Sequence, residues 1–349
     1  MNPETFEVRR LQLFIEQRRK IEAMIRELSK GMAETVKRYR LTYPKTGAGG
    51  FFRYNTALKN EVDRLLTGFH DSIENLIHDA TVRSASLSGD KFHQLIIQQV
   101  GRKWHSVIVD KGLLDFNVHA FESWISRSLN MSLSDRVWKS TAITNSQIEL
   151  YLGTGIAEGK SAAALSRDVR SLLVEPNKLF RRVRDPVSGK LVLSDAARRY
   201  HPGRGVYRSS YKNAMRLTRT EINMAYHFSD FYRRQNLPFV YGIEVHLSAA
   251  HPRPDICDEM QGRYPPGFLF MGWHPQCICY STSILPETDK FINYMKTGQL
   301  DQRRFLSAIP PRADRYLTRM KPTFDRWKSP PLFMQYNFTD NLDLKEVRI

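Results

Sequence analysis

Apolar residues recur at helical spacing through the first half of the chain. The first set is separated by steps of three, four or seven residues, which predicts one amphipathic helix over about 5–40: Phe14, Ile21, Ile25, Leu28, Met32 and Val36. Pro44 and a glycine-rich run interrupt this pattern, and it resumes between Leu58 and Leu76. Further helical patterns cover about 91–109, 118–130 and 133–153. Residues 1–150 are therefore predicted to form a helical N-terminal region.

The second half of the chain mixes helix and strand signals. Ser161 is a candidate N-cap for a helix ending near 173, residues 178–194 fit a hairpin, and 209–237 fit a strong helix that stops at Pro238. Alternating β-branched residues predict strands over 239–249 and 280–285. The predicted fold is mainly α, with a small α+β domain at 151–285 that contains a short antiparallel sheet. A short helix near 288–296 and an irregular basic C-terminal tail complete the segment 286–349.

Composition limits the class of protein and of partner. The chain has 349 residues, of which 41% are hydrophobic, so a disordered chain is excluded. No uninterrupted apolar run is long enough to span a membrane, and the first residues do not resemble a secretory signal. The net charge of +17 indicates a polyanion nearby: nucleic acid, an anionic membrane face or an acidic partner protein. Of these we expect DNA, bound through non-specific basic contacts, and no membrane. The alternative is a solvated basic surface that aids solubility.

Arginine and tyrosine alternate in residues 197–212. Arginine pairs with phosphate and tyrosine stacks on bases, so we expect contact with nucleic acid from eight residues: Arg198, Arg199, Tyr200, Arg204, Tyr207, Arg208, Tyr211 and Lys212. The alternative is an exposed basic loop whose tyrosines fold onto the protein surface.

All three cysteines of the chain lie between residues 251 and 279. Thiolate and imidazole are the preferred ligands of zinc, and a structural site requires four. The predicted ligands of a structural zinc ion are Cys257, His274, Cys277 and Cys279, with His251 and Asp255 as spare candidates. Such a site would stabilise a loop that contains much proline and glycine. The alternative is three reduced cysteines packed as small apolar side chains.

The helix predicted at 209–237 carries the sequence Arg219-Thr220-Glu221, followed by Asn223. Arg219 and Asn223 are four residues apart and therefore share one face of the helix. We expect a structural role, in which a partly buried Arg219 or Glu221 joins the helix to the cysteine loop. A catalytic carboxylate is the alternative.

The order of these elements resembles the phage head morphogenesis family, the minor head proteins related to the F protein of phage Mu and gene product 7 of phage SPP1. The resemblance covers about 150–285 and rests on four groups of residues: Gly159 to Ser161; Arg219, Thr220, Glu221 and Asn223; Asp255 and Cys257; and the ending His274-Pro275-x-Cys277-x-Cys279. The chain departs from the family pattern in three places. Met260 stands where a second early cysteine is usual, Ile278 stands where an arginine is usual, and the insertion His-Pro-Arg-Pro at 251–254 is not the commonest form.

The resemblance implies a non-enzymatic minor capsid protein, present in the head interior or at the portal vertex of the virion and in the host cytoplasm during assembly. It implies portal and capsid proteins as partners, with the helical region 1–150 docking on them, and a role in head assembly and in DNA packaging or delivery. The alternative function is a metal-dependent nuclease, or a toxin-like effector, carried in the phage head. A nuclease would use His251 or His246 with Asp255 or Glu259.

Overall fold

Helices make up most of the structure, a computed structural model that describes residues 3–41, 50–116, 133–157, 159–176, 182–193, 206–327 and 329–345. Helix α1 (Pro3–Arg38) covers the first predicted helix. Helix α2 (Thr56–Asp110) joins two predicted helices and has a non-helical backbone inside it at Gly101 (φ 80°). Helices α3 (Leu133–Ala157) and α4 (Ala162–Leu172) follow, and the Ser161 side chain caps α4 as predicted. The helix predicted at 118–130 lies outside the described residues.

Two small sheets accompany the helices. Strands β1 (Arg182–Arg184) and β2 (Leu191–Leu193) form the predicted hairpin. After helix α5 (Ser210–Gln235), strands β3 (Gly242–His246), β4 (Gly262–Tyr264) and β5 (Tyr280–Ile284) form an antiparallel sheet in the order β4-β3-β5. The predicted fold class, mainly helical with a short antiparallel sheet and a Cys/His cluster, is confirmed.

The chain folds into two compact units, and the divisions fall inside α1, α2 and α5. One, here called the cysteine unit, comprises Met1–Phe14, Asp79–Asn130 and Arg219–Ile349; the other, the helical unit, comprises Ile15–His78 and Met131–Thr218. This division differs from the predicted segments 1–150, 151–285 and 286–349, because the long helices contribute residues to both cores.

The helical unit has a core built from one face of each of its helices. The α1 stripe predicted from sequence is buried there from Ile21 onward, together with residues of α2, α3 and α4: Leu58, Val62, Leu66, Ile148, Leu152, Leu165, Val169 and Leu172. Apolar spacing of three and four residues places each of these on a single helix face, so this core follows directly from the pattern.

The C-terminal segment is more ordered than predicted. It contains helices α7 (Thr288–Thr297), α8 (Pro311–Phe324) and α9 (Leu332–Asn337), preceded by the five-residue α6 (Ile256–Met260) between β3 and β4. Leu317, Phe324 and Phe333 pack into the same core as Trp273 and the cysteines. The Asn337 side chain accepts a hydrogen bond from Leu269 N at 2.7 Å and donates to Leu269 O at 2.9 Å. Segment 286–345 therefore supports the cysteine loop. Among the described helices, none is long and apolar enough to cross a membrane.

Candidate metal centre

Cys257 reaches the site from helix α6, whose start is fixed by a reciprocal cap. The Asp255 carboxylate accepts a hydrogen bond from Cys257 N at 2.7 Å, and the Asp258 carboxylate accepts one from Asp255 N at 2.8 Å. His251 Nε2 lies 3.2 Å from Asp258 Oδ2. These contacts orient the first turn of α6, so Cys257 enters the core at 1% exposure.

The other candidate ligands lie on the turn that precedes β5. Cys277 N donates to His274 O at 3.1 Å, and Gln276 has a positive φ of 64°, which closes a tight turn. Because β5 pairs with β3, and α6 follows β3 in the chain, the turn and α6 meet at one end of the sheet. The topology therefore brings His274 and Cys277, which follow Cys257 by 17 and 20 residues in the chain, into contact with it.

The distances between the candidate ligand atoms at this end of the sheet fit a metal ion with tetrahedral coordination. Cys257 Sγ lies 3.2 Å from His274 Nε2 and 3.7 Å from Cys277 Sγ. Ligands around tetrahedral zinc are separated by about 3.8 Å between two sulfurs and about 3.6 Å between sulfur and nitrogen. Cys257, His274 and Cys277 thus form a buried cluster compatible with metal binding.

The imidazole of His274 presents the correct nitrogen to this cluster. Its Nδ1 lies 2.8 Å from Pro275 O, which can only accept a hydrogen bond, so Nδ1 carries the proton. Nε2 is then the nitrogen that faces Cys257 Sγ and is available to a metal ion. Metal-binding histidines commonly use a backbone carbonyl in this way.

The pKa of the Cys277 thiol shifts in the opposite direction from the pKa values of Cys257 and Cys279. Hydrogen bonds from the Cys257 and Cys279 thiols hold the pKa of the Cys277 thiol well below its usual range, and a backbone hydrogen bond from Trp273 acts in the same direction. The pKa of Cys257 is raised, chiefly by its hydrogen bond with Cys277. Neighbouring buried thiols resist ionising together, and a bound cation would remove that resistance.

The predicted fourth ligand and the two spare candidates lie beside the cluster. Cys279 is fully buried and affects the pKa of the other two thiols, but it is not part of the cluster around His274. Asp255 Oδ2 lies 3.3 Å from His274 Nε2. His251, Asp255 and Cys257 form a second possible group, which shares Cys257 with the first.

Helix α5 contacts the cysteine loop with one face. Thr220 Oγ1 accepts a hydrogen bond from Gln276 N at 3.1 Å, and His227 Nε2 donates to Cys279 O at 3.1 Å. Burial lowers the pKa of His227 well below its usual value, so the ring is neutral. Thr220 and His227 therefore join α5 to the cysteine loop. Glu221 is buried, and the guanidinium of Arg219 lies 5.4 Å from the centre of the Phe14 ring.

Sequence reasoning missed Arg10 and His227. Arg10 is fully buried; it donates to Asn223 Oδ1 and to Ile278 O, and it pairs with Glu7 at 2.8 Å. A signal was present, because Arg10 lies four residues after Phe6 and four before Phe14, on the buried stripe of α1. His227 likewise lies seven residues after Thr220, on the same face of α5.

Residues considered for nuclease chemistry each have side-chain contacts within the cysteine unit. Glu259 pairs with Arg312 at 2.9 Å, and His251 and Asp255 belong to the α6 cap described above. His246 Nε2 lies 2.9 Å from Thr282 Oγ1, and its ring stacks on Tyr280. Within the described residues, His246 belongs to neither group of candidate metal ligands.

The candidate nucleic-acid residues are only partly described. Arg198, Arg199, Tyr200 and Arg204 lie outside the described residues. Tyr207, Arg208 and Lys212 line a cavity of about 500 Å³ at the start of α5, together with residues that include Val174, Glu175 and Pro176. Tyr211 is partly buried, and its hydroxyl donates to Glu22 Oε1 at 2.9 Å, so its ring is less accessible for base stacking than expected.

Comparison of the chain with family models, with curated proteins and with solved structures found no match.

Proposed function

We propose that the protein is a non-enzymatic minor head protein of a bacteriophage, which acts in head assembly and in DNA packaging or delivery near the portal. A structural zinc ion, held by Cys257, His274, Cys277 and one further ligand, stabilises its cysteine loop. The observation that carries the proposal is the joining of two sequence motifs: Thr220 accepts a hydrogen bond from the turn of the His274-Pro275-x-Cys277-x-Cys279 element.

Burial supports a structural ion over a catalytic one. The thiols of Cys257, Cys277 and Cys279 are at most 2% exposed, and Trp273, Phe268 and Phe270 pack around them in the same core. A hydrolytic site requires an open coordination position for water, whereas a structural site is closed by protein ligands. Cys279 is the favoured fourth ligand because it is fully buried in the same core as Cys257 and Cys277.

Elemental mass spectrometry tests the metal claim on full-length protein purified without added zinc. We expect about one zinc per chain, lost in His274→Asn together with a large fall in thermal stability. His246→Asn is the matched control, since that histidine lies on β3 outside the cluster. Metal-free wild type with normal stability would contradict the site, and zinc retained in Cys279→Ser would identify Asp255 or His251 as the fourth ligand.

Composition of virions tests the assembly role. Quantitative mass spectrometry of purified particles of the encoding phage is expected to detect the chain at few copies per particle. Deletion of its gene is expected to leave heads that are malformed or lack DNA. A chain absent from particles and from assembly intermediates would contradict the proposal. So would cleavage of plasmid DNA by the purified zinc-loaded protein at a rate abolished by His251→Asn, which would favour a nuclease.

A further inference from the structure

Helix α8 carries a stripe of arginines on the side away from its buried residues. Ala313, Leu317 and Phe324 face the core of the cysteine unit. At 3.6 residues per turn, the exposed arginines Arg312, Arg315, Arg319 and Arg326 fall within an arc of about 60° on a different side of the helix. Arg326 lies two residues beyond the last helical residue, Phe324, and its Nε donates to Pro322 O at 3.1 Å, which holds its guanidinium against the last turn of α8.

Acidic residues of the same helix lie off this stripe. Asp314 and Asp325 project roughly 120° away from its centre, where Asp325 pairs with Lys321 at 2.7 Å. Within the described part of the chain, the ion pair made by the stripe joins Arg312 to Glu259 of α6. The hydrogen bond from Arg312, followed by the charges of Arg312 and Arg319, lowers the pKa of Glu259. The stripe therefore keeps a large excess of positive charge.

We infer that the arginine stripe of α8 is a docking surface for the phosphate backbone of duplex DNA. This inference rests on the proposed function, whose DNA contact it assigns to named residues. Guanidinium groups match phosphate oxygens in a planar, two-bond geometry, and all four basic residues of the stripe are arginine. From Arg312 to Arg319 the helix rises about 10 Å, which is the axial length of about three base pairs.

The metal site positions this surface. Helix α8 packs against α6, which carries Cys257, and Arg312 and Glu259 join the two helices. The stripe is thus mounted on a rigid element whose far side is buried in the cysteine core. Charge complementarity favours DNA as the occupant over an acidic protein, because the chain as a whole carries +17 and electrostatic, sequence-independent binding needs no shaped pocket.

Salt-dependent DNA binding tests the inference on full-length protein, with a labelled random-sequence duplex and fluorescence anisotropy between 50 and 300 mM salt. The stripe variant replaces Arg312, Arg315, Arg319 and Arg326 with glutamine. Its matched control removes the same charge from exposed sites on other helices: Arg19, Lys30, Lys37 and Arg102. The stripe variant is expected to bind DNA at least about tenfold more weakly. The plot of log K against log salt is expected to become less steep by up to about 3.6, which is about 0.9 for each of four lost phosphate contacts.

Equal losses of DNA affinity in the stripe and control variants would overturn the inference. An acidic protein would then be the alternative occupant of the stripe. Absence of DNA binding by the wild type would overturn the DNA contact in the proposed function as well, so the two failures are distinguishable. Circular dichroism and zinc content check folding. If loss of the Arg312–Glu259 pair disturbs α6, a triple variant that keeps Arg312 and replaces the other three arginines is compared with the control. Its expected change in slope is up to about 2.7.

Discussion

The hydroxyl of Thr220 connects α5 to the cysteine turn through a hydrogen bond from Gln276 N. Replacing it in Thr220→Val keeps the shape of the side chain and leaves Gln276 N without its 3.1 Å acceptor. The expected loss is about 1 kcal/mol in the free energy of unfolding, measured by urea denaturation.

Thr218→Val is the matched control for this substitution. Thr218 lies on the same helix, is fully buried, and its Oγ1 has no hydrogen-bond partner among the described residues. Removing an unsatisfied buried hydroxyl is expected to be neutral or stabilising. Equal effects of the two substitutions would show that the Thr220 contact contributes nothing.

Gly272 has a backbone conformation and a position that exclude a side chain. Its φ is 95°, and a Cβ there would lie 3.0 Å from Asn223 Nδ2 and 3.1 Å from Cys277 Cβ. Gly272→Ala is therefore expected to cost roughly 1–3 kcal/mol and to displace Cys277. Gly267→Ala, in the same loop, meets no atom within 4 Å and serves as the control. Thermal unfolding that does not separate the two variants would refute this prediction.

At the scale of single elements, a histidine pair on α2 makes stability depend on pH. His93 Nδ1 lies 2.9 Å from His105 Nε2. Burial, then the charges of His105 and Arg233, lower the pKa of His93 below its ordinary value of 6.5, against an opposing contribution from Asp90. The folded state disfavours the protonated ring, so the contribution of His93 is fully present above about pH 6.5 and is lost as the pH falls below that value.

Urea unfolding at pH 7.5 and pH 5.5 measures this effect. The wild type is expected to lose more stability between the two pH values than His93→Gln, since only the wild type binds the extra proton on unfolding. His78→Gln, an exposed histidine on the same helix, is expected to behave like the wild type. Protonation of the cysteine site affects all three proteins equally and cancels in the comparison. If His93→Gln lost as much stability as the wild type between pH 7.5 and pH 5.5, the assignment of this pH dependence to His93 would be contradicted.

Elements with one strong periodic signal were predicted well, and those with competing signals were not. The apolar stripe of α1, the Ser161 cap of α4 and the strands β3 and β5 are visible in the sequence and are confirmed. Helices α8 and α9 were missed because Pro310, Pro311, Pro322 and Pro331 suggested irregular structure. Three of these prolines lie at helix starts, where proline is favourable, and Pro322 lies within the last turn of α8.

At the scale of the whole molecule, removal of metal is expected to affect the two units differently. The cysteines share a core with α8 and α9, whereas the core of the helical unit contains no cysteine. We expect a chelator to increase amide hydrogen exchange in α6, β4 and α8, while the parts of α2, α3 and α4 in the helical unit keep their protection. Mass spectrometry of peptides resolves these regions. Uniform loss of protection over both units would contradict a metal that acts through the cysteine core alone.

Local patterns in the sequence were sufficient to predict the helical class, the hairpin, the short sheet and the candidate ligands, because apolar periodicity and residue chemistry are local properties. Tertiary structure alone decided which ligands meet. The pairing of β3 with β5 brings Cys257 to His274 and Cys277, and leaves Cys279 beside that cluster. It also decided that Arg10 is buried against Asn223 and Ile278, and that the C-terminal segment supports the cysteine loop. These contacts join residues distant in the chain, and no spacing rule within one element encodes them.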